Sequence, residues 1–155
     1  LKTARATGFP TDRLIFEFTE NEEMADTDHI SGIVDSYRKM GFVTAIDDFG
    51  AGYAGLGLLA KFQPDLLKLD MELVRAIDTS MPRRLIVESV AQLCDKLGIV
   101  IIAEGVETSA EYDTLRGLGI RYIQGYLLAR PAFRALPRVE LPNASHSSTE
   151  KRHRA

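Results

Sequence analysis

Acidic side chains recur at the ends of short apolar runs in this chain. Glu17 ends the first run, the adjacent pair Asp47 and Asp48 ends the second, and Glu104 ends the fourth. Carboxylates that come together raise each other's pKa unless a cation neutralises them. Oxygen ligands in this number suit Mg²⁺, Mn²⁺ or Ca²⁺ rather than zinc. A single acidic end is more simply a helix cap or a solvated turn, but three such ends predict a site for hard divalent cations.

One basic residue interrupts the third apolar run. Lys68 lies between Leu67 and Leu69, where an apolar residue would be ordinary. Its long stem allows the ammonium group to reach water at the edge of a sheet, which is the structural interpretation. In the functional interpretation, the ammonium group orients a nucleophilic water or stabilises the charge of a phosphoryl group. The sequence leaves both interpretations open.

The adjacent aspartates can reach one site only if the backbone meets a geometric condition. Successive side chains of a strand point to opposite faces, so Asp47 and Asp48 reach one site only where the chain leaves the strand. Gly50 and Gly52 follow closely and supply the backbone freedom that this predicts. One aspartate can then bridge two ions while its neighbour binds one. Paired ions about 3.5–4 Å apart are a common arrangement for cleaving phosphoesters.

Five short apolar runs must position these side chains, and most of them are continuous rather than alternating. The runs cover residues 14–16, 43–46, 66–69, 99–103 and 122–123. Continuous runs are typical of strands that are buried on both faces of a parallel sheet. In parallel α/β folds the carboxyl ends of the strands meet at one rim, where sites are built. We therefore expect the polar ends of the runs to meet.

Helical patterns separate the runs. One covers residues 30–40 with Gly41 as a candidate C-cap, one opens at Pro82 and ends at Gly98, and one covers 109–116. The alternating order predicts an α/β domain with right-handed crossovers. The runs begin 23 to 33 residues apart, and an eight-unit barrel averages about 31 residues per unit. The chain is either an open five-stranded sheet or the C-terminal part, about five βα units, of a TIM-like (β/α)₈ barrel.

Length and composition set further bounds. The chain has 155 residues, a net charge of −3 and one cysteine, Cys94. One domain is expected, an intramolecular disulfide is excluded, and sequence-independent binding to duplex DNA is disfavoured. No apolar run approaches the roughly 18 residues of a membrane span, and we expect no signal peptide. The segment 134–155 is polar and is predicted to be a disordered tail behind a domain of residues 1–133.

Five sequence strings in order connect these features to one family. They are EFTE at 17–20, DDFGAGY at 47–53, KLD at 68–70, AEGVET at 103–108 and QGY at 124–126. Together they closely resemble the EAL-domain phosphodiesterases, which hydrolyse the bacterial second messenger cyclic di-GMP. Each string alone is weak evidence for the family, whereas five strings in the same order and at matching spacing are specific to it. The resemblance covers about residues 8–133, roughly the C-terminal half of the family's domain.

The resemblance implies a site for two Mg²⁺ or Mn²⁺ ions, with Ca²⁺ inhibitory. Glu17 matches a ligand of the first ion, Asp47 the bridging ligand and Asp48 a ligand of the second ion. Glu104 matches the glutamate that binds the second ion or its water, and Lys68 matches the lysine that holds the attacking water. In the family this water attacks phosphorus in line, and the product is linear pGpG.

Supporting positions also match the family. Glu20 resembles the glutamate that steadies the loop after Asp48, and Glu107 and Gln124 match residues that form hydrogen bonds around the site. The loop of residues 49–57, with Gly50 and Gly52, is linked in the family to metal binding and dimerisation. The resemblance therefore implies cyclic di-GMP as ligand, a homodimer formed through this loop, and a bacterial cytoplasmic location for a protein that is free or tethered to a membrane.

Departures from the family pattern limit what the chain can do alone. The Glu-Ala-Leu signature and the asparagine of the strand before Glu17 are absent, and both ligate the first ion in the family. The chain begins with Leu1, and we expect it to be a piece of a longer protein. The 155-residue chain alone is expected to hydrolyse little or nothing. Met71 and Glu72 replace a frequent Arg-Ser pair, and Ala54 and Gly55 replace a common Ser-Ser pair.

Two other functions remain as alternatives. The first is a non-catalytic EAL-like module that binds cyclic di-GMP or a protein partner. The second is a phosphoacceptor receiver domain, which also combines five strands, an acidic pair and a lysine. The second is disfavoured because its acidic pair would end the first strand and its lysine would follow the fifth, whereas here they belong to the second and third runs.

Overall fold

The computed structural model describes residues 1–19, 27–52, 55–61, 63–139 and 141–142. Within these ranges five strands form one parallel sheet, in the order β1-β2-β3-β4-β5. The strands are β1 (Ile15–Thr19), β2 (Val43–Phe49), β3 (Leu66–Leu69), β4 (Val100–Ala103) and β5 (Tyr122–Ile123). The helices are α1 (Lys2–Thr7), α2 (Thr27–Lys39), α3 (Gly55–Lys61), α4 (Met71–Val74), α5 (Met81–Leu97) and α6 (Ser109–Gly117).

The strand order separates the two architectures that the sequence left open for a five-stranded sheet. Every neighbouring pair is parallel, and each strand lies next to the strand that follows it in the chain. A doubly wound sheet, such as that of a receiver domain, changes direction and has the order 2-1-3-4-5. A (β/α)₈ barrel winds in one direction and keeps the sequential order seen here. The α/β prediction is confirmed, and the receiver arrangement is excluded.

The hydrophobic core lies between one face of the sheet and the helices. On β3, Leu67 and Leu69 are fully buried in this core, whereas Leu66 and Lys68 are only partly buried. Alternate residues of a strand point to opposite faces, so Lys68 belongs to the face away from the core. Its partners in register on β4 and β5, Ile102 and Tyr122, are also partly or largely exposed. This second face is the one that the interior of a barrel would occupy.

Capping residues explain where α5 begins and ends. Pro82 lies in its first turn, where the missing N–H costs nothing, and Gly98 ends it with φ 72°. The backbone N–H of Gly98 donates to the carbonyl oxygens of Asp95 and Cys94. Cys94 itself is fully buried in the core, and this burial raises the pKa of its thiol to about 11. Both predicted bounds of this helix are confirmed within a residue.

Three helices, α1, α3 and α4, were not predicted from the sequence. Each has seven residues or fewer, too short to show an apolar period. Helix α4 matters most because it follows β3 directly and begins after Asp70, whose side chain accepts a hydrogen bond from the Glu72 N–H. This bond satisfies one N–H of the helix start.

Some of the sequence predictions concern residues that the structure does not describe. Glu20 lies outside the described residues, as do Tyr53 and Ala54 of the loop after β2. In the predicted tail, residues 134–139 are exposed, and the structure describes nothing after residue 142. Disorder of the tail stays a prediction. None of the helices in the described ranges combines the length and the apolar character needed to cross a bilayer.

Candidate metal centre and active site

The ammonium group of Lys68 joins three of the predicted site carboxylates. Its Nζ lies 2.8 Å from Asp47 Oδ1, 3.1 Å from Glu104 Oε1 and 3.2 Å from Glu17 Oε1. Glu17 lies in the middle of β1, Asp47 and Lys68 lie in the C-terminal halves of β2 and β3, and Glu104 directly follows β4. Residues far apart in the chain therefore meet at one rim, as the parallel arrangement predicts. Lys68 does not extend into solvent, since its side chain is only 14% exposed.

Three carboxylates lie close enough to share one cation. Asp47, Asp48 and Glu104 each offer an oxygen, and these oxygens all lie within 4.8 Å of one another. All three residues are partly buried. Glu17 is not in this group; it reaches the group through Lys68, and its side chain is 41% exposed. The donor set consists of carboxylate oxygens only, which suits a hard divalent cation rather than zinc.

The backbone at Asp48 explains how adjacent aspartates reach one rim. Asp48 has φ 55°, in the left-handed region that non-glycine residues rarely adopt. The register between β2 and β3 shifts between Ile46 and Phe49, as expected where a β-bulge adds a residue to one strand. The sequence argument required the chain to leave the strand at the aspartates and assigned the backbone freedom to Gly50 and Gly52 alone. In the structure Asp48 itself adopts a left-handed conformation, and Gly50 follows with φ 104°.

The electrostatics of the rim show that negative charge accumulates there. Partial burial raises the pKa of Asp48, and the charges of Asp47 and Asp70 raise it further. Burial also raises the pKa of Glu104, although its hydrogen bond with Lys68 acts in the opposite direction. A bound cation would relieve both effects.

Lys68 stays charged in this setting. Burial by itself would lower its pKa, but hydrogen bonds to Asp47, Glu104 and Glu17 outweigh burial and raise the pKa above its usual value. An ammonium group held in this way donates hydrogen bonds and does not act as a base at neutral pH.

Glu107 follows β4 and Gln124 follows β5, and the two residues make different bonds in the structure. Glu107 Oε1 accepts a hydrogen bond from Arg75 Nη2 at 2.8 Å, and both side chains are about half exposed. Gln124 bonds through its backbone, donating to Ala103 O at 2.8 Å and accepting from Val106 N at 3.2 Å. These bonds fix the segments after β4 and β5 to one another. The side-chain roles predicted for both residues stay predictions.

Two further acidic residues support the rim, although the sequence analysis gave neither of them a role at the site. Asp70 caps α4 and adds its charge to the surroundings of Asp48. Glu111 is 5% exposed and accepts hydrogen bonds from the backbone N–H groups of Ala76, Glu107 and Thr108. Thr108 and Glu111 form a reciprocal capping box at the start of α6. A threonine followed three residues later by a glutamate is its signature and would have identified Glu111.

The fold and the site together define a segment of a (β/α)-barrel protein with an acidic, lysine-bearing rim. The family model described as EAL domain matches residues 1–131. This chain therefore belongs to the EAL domain family.

Curated relatives extend the comparison. The chain is 36% identical over 142 residues to the blue light- and temperature-regulated antirepressor BluF of Escherichia coli K12. It is 35% identical over 119 residues to the cyclic di-GMP phosphodiesterase PdeL of the same organism. The matches cover 92% and 77% of this chain but only 35% and 33% of those proteins. The chain thus spans about a third of the length of these relatives.

Solved structures agree with the family assignment. A standalone EAL protein from Vibrio cholerae O395, in its c-di-GMP-bound form, is 45% identical with a TM-score of 0.85. The match covers 90% of this chain and 59% of that one. BlrP1 of Klebsiella pneumoniae, solved with calcium and cyclic di-GMP, is 43% identical with a TM-score of 0.83, covering 89% and 35% of the two chains. Related BlrP1 structures contain manganese with the same ligand. The chain is part of a TIM-barrel-like EAL domain, and relatives have been solved with divalent metals.

Proposed function

We propose that this chain supplies part of a metal-dependent active site that hydrolyses cyclic di-GMP to linear pGpG in a longer protein. One observation carries the proposal: Lys68 bonds to Asp47, Glu104 and Glu17 at the rim where Asp48 also lies. Relatives named as cyclic di-GMP phosphodiesterases, and relatives solved with cyclic di-GMP, support the substrate.

The carboxylates are proposed to hold the metal. Asp47, Asp48 and Glu104 fit a hard divalent cation because their oxygens lie within 4.8 Å of one another. Glu17 is proposed as a ligand of a first ion, together with residues outside this chain. A bound divalent ion supplies a water of lowered pKa and neutralises charge on the phosphate. Mg²⁺ or Mn²⁺ is proposed as the working ion, with Ca²⁺ inhibitory; relatives solved with manganese or calcium support divalent binding but do not separate these roles.

Lys68 is proposed to orient the attacking water and to stabilise charge on the phosphoryl oxygens. Its ammonium group has three donors, and its raised pKa keeps it protonated at neutral pH. In this structure these donors bond to Asp47, Glu104 and Glu17, and carboxylates that turn to a bound cation would free donors for the water and the phosphate. The carboxylates that bind it fix its position relative to the metal ligands. Such a preorganised donor contributes most where negative charge develops in the transition state.

The remaining predicted residues are proposed to support these groups. Glu107 and Gln124 belong to the segments after β4 and β5, and Gly50 and Gly52 belong to the loop after Asp48. Glu20, outside the described residues, is proposed to steady that loop. A homodimer formed through residues 49–57 is also proposed, with light scattering of the intact protein as its test. A cytoplasmic location stays a prediction.

An Asp48→Asn variant tests the proposal in the intact protein. The substitution keeps the size of the side chain while removing one negative charge from the proposed ligand group. We expect most hydrolysis of cyclic di-GMP to be lost in Mg²⁺ while the fold, measured by circular dichroism, is retained. Asp113→Asn is the matched control, because Asp113 is exposed on α6. Near-normal turnover by Asp48→Asn would refute the proposed role.

A second function is favoured by one comparison. BluF, which matches 92% of this chain, is named an antirepressor rather than a phosphodiesterase. The second proposed function is accordingly that the chain is part of a module that binds cyclic di-GMP or a protein partner without hydrolysis. Calorimetry with cyclic di-GMP in Ca²⁺, beside a hydrolysis assay in Mg²⁺, separates the two functions. Binding without turnover by the intact protein would favour the module, and turnover would favour the enzyme.

A further inference from the structure

The segment of residues 70–76 lies between the two parts of the rim that carry the proposed metal ligands. The N–H of Asp70 donates to Phe49 O at 3.0 Å, at the end of β2. On the other side, the N–H of Glu104 donates to Leu69 O at 3.1 Å, so the end of β4 is bonded to the residue before this segment. Helix α4 then begins immediately at Met71.

Two glycines allow this segment to touch both neighbouring loops. A Cβ added at Gly105, directly after Glu104, would lie 2.6 Å from the Met71 Cβ. A Cβ added at Gly50, two residues after Asp48, would lie 2.3 Å from the Leu73 Cδ1. Both distances are shorter than real Cβ atoms tolerate. The contact at Gly105 is the stricter one because it involves the Met71 Cβ, which cannot move without its backbone.

Further bonds tie the segment to the loop after β4. Arg75 Nη2 lies 2.8 Å from Glu107 Oε1, and the N–H of Ala76 donates to Glu111 Oε1 at 2.9 Å. Ala76 has φ 53°, a conformation that is uncommon for a residue with a side chain. The segment is therefore fixed at both of its ends.

We propose that residues 71–76 form a spacer that sets the distance between Asp48 and Glu104, with Gly50 and Gly105 as positioning residues. This inference rests on the proposed function, because it concerns the same metal ligands. A side chain at Gly105 must push Met71 and the Glu104 loop apart. The carboxylate oxygens that lie within 4.8 Å of one another would then separate. The glycines act on the ligands through packing and do not touch the metal or the substrate.

Gly98 provides a matched control for backbone strain. Gly105 has φ 69° and Gly98 has φ 72°, so alanine would have to adopt a similar left-handed φ at both positions. A Cβ at Gly98 meets nothing within 4 Å, whereas a Cβ at Gly105 meets Met71. Gly98→Ala thus reports the cost of the conformation alone. Gly105→Ala combined with Met71→Gly removes the contact while keeping the strain.

Titration of the 155-residue chain with Mn²⁺ tests the inference. We expect Gly105→Ala to weaken Mn²⁺ affinity about 10- to 100-fold, the range for residues that support metal ligands. Gly98→Ala should leave the affinity unchanged, and adding Met71→Gly should restore most of the loss in Gly105→Ala. If Gly105→Ala does not fold, the same comparison is made with Gly50→Ala, alone and combined with Leu73→Ala. Gly119→Ala is then the control for strain, because Gly119 has φ 87° and a Cβ there meets nothing within 4 Å.

The outcomes separate this inference from the proposed function. Undiminished Mn²⁺ binding by a folded Gly105→Ala chain would overturn the spacer while leaving the metal site intact. An equal loss in Gly98→Ala would also overturn it, because strain rather than contact would then be the cause. If the folded, unmutated chain binds no Mn²⁺, the same titrations are made in the intact protein. Absence of binding there refutes the metal site, and the inference falls with it.

Discussion

Glu111→Gln tests whether one buried carboxylate holds the loop after β4 in place. Glu111 Oε1 accepts the Ala76 N–H at 2.9 Å, and Oε2 accepts the N–H groups of Glu107 and Thr108 at 3.0 Å each. Glutamine has the same shape but only one acceptor oxygen. If that oxygen serves the two bonds at Oε2, the amide NH₂ faces the Ala76 N–H and leaves this donor unsatisfied.

The expected cost follows from these bonds. A hydrogen bond to a charged group contributes about 1.5–3 kcal/mol, and a buried unsatisfied donor costs about 1–3 kcal/mol. Because these terms overlap, we expect Glu111→Gln to lower the free energy of unfolding by about 2–4 kcal/mol. That is a large share of the roughly 5–15 kcal/mol typical of a domain. Asp113→Asn, on the exposed side of the same helix, should change it by less than about 0.5 kcal/mol.

Urea unfolding of the 155-residue chain, followed by circular dichroism, measures the difference. Burial would raise the pKa of Glu111, but the three backbone hydrogen bonds outweigh burial and lower it. Its stabilising contribution is therefore present above the unfolded-state pKa, about 4.3, and is lost as the pH falls through the lower folded-state pKa. The gap between the unmutated chain and Glu111→Gln should shrink below about pH 4. Equal midpoints at pH 7, or a gap that does not shrink in acid, would refute the reasoning.

Two further predictions concern other parts of the molecule. Lys68→Met in the intact protein should lower the hydrolysis rate about 10²- to 10³-fold, which is the loss typical of one electrostatic donor. The control Lys96→Met, at an exposed position, should leave the rate unchanged. Comparable rates for the two variants would contradict the role of Lys68. Cys94 should react with a thiol reagent only after unfolding, because its thiol is fully buried and has a pKa of about 11; rapid labelling of the folded chain at pH 7 would show that this helix does not pack as described.

The sequence predicted the elements that have a clear pattern. Continuous apolar runs identified all five strands of the described sheet, although residues on one of its faces are partly or largely exposed in this chain. Strands that a complete fold covers on both faces carry apolar residues on both. Helices α2, α5 and α6 were predicted because they are long enough to show an apolar period and have glycine or proline at their ends. Helix α4 was not, since four residues carry no period. In the structure Asp70 caps this helix, but an aspartate alone in the sequence does not predict a helix of four residues.

The meeting of the carboxylates could be predicted, but its local geometry could not. Parallel strands bring Glu17, Asp47 and Glu104 to one rim whatever their exact spacing. The left-handed conformation of Asp48 depends on a bulge between β2 and β3, and the sequence indicated only that the chain must turn near there. The partner of Glu111 across the rim, Ala76, is 35 residues away in the chain, so no local pattern reveals that bond.

The most direct test of the proposed site is an anomalous difference map from crystals soaked in Mn²⁺. The intact protein that carries this sequence is the best material, with the 155-residue chain as a second sample. We predict a manganese peak among the carboxylate oxygens of Asp47, Asp48 and Glu104, beside the ammonium group of Lys68. Manganese bound at other residues, with these three carboxylates unligated, would contradict the account.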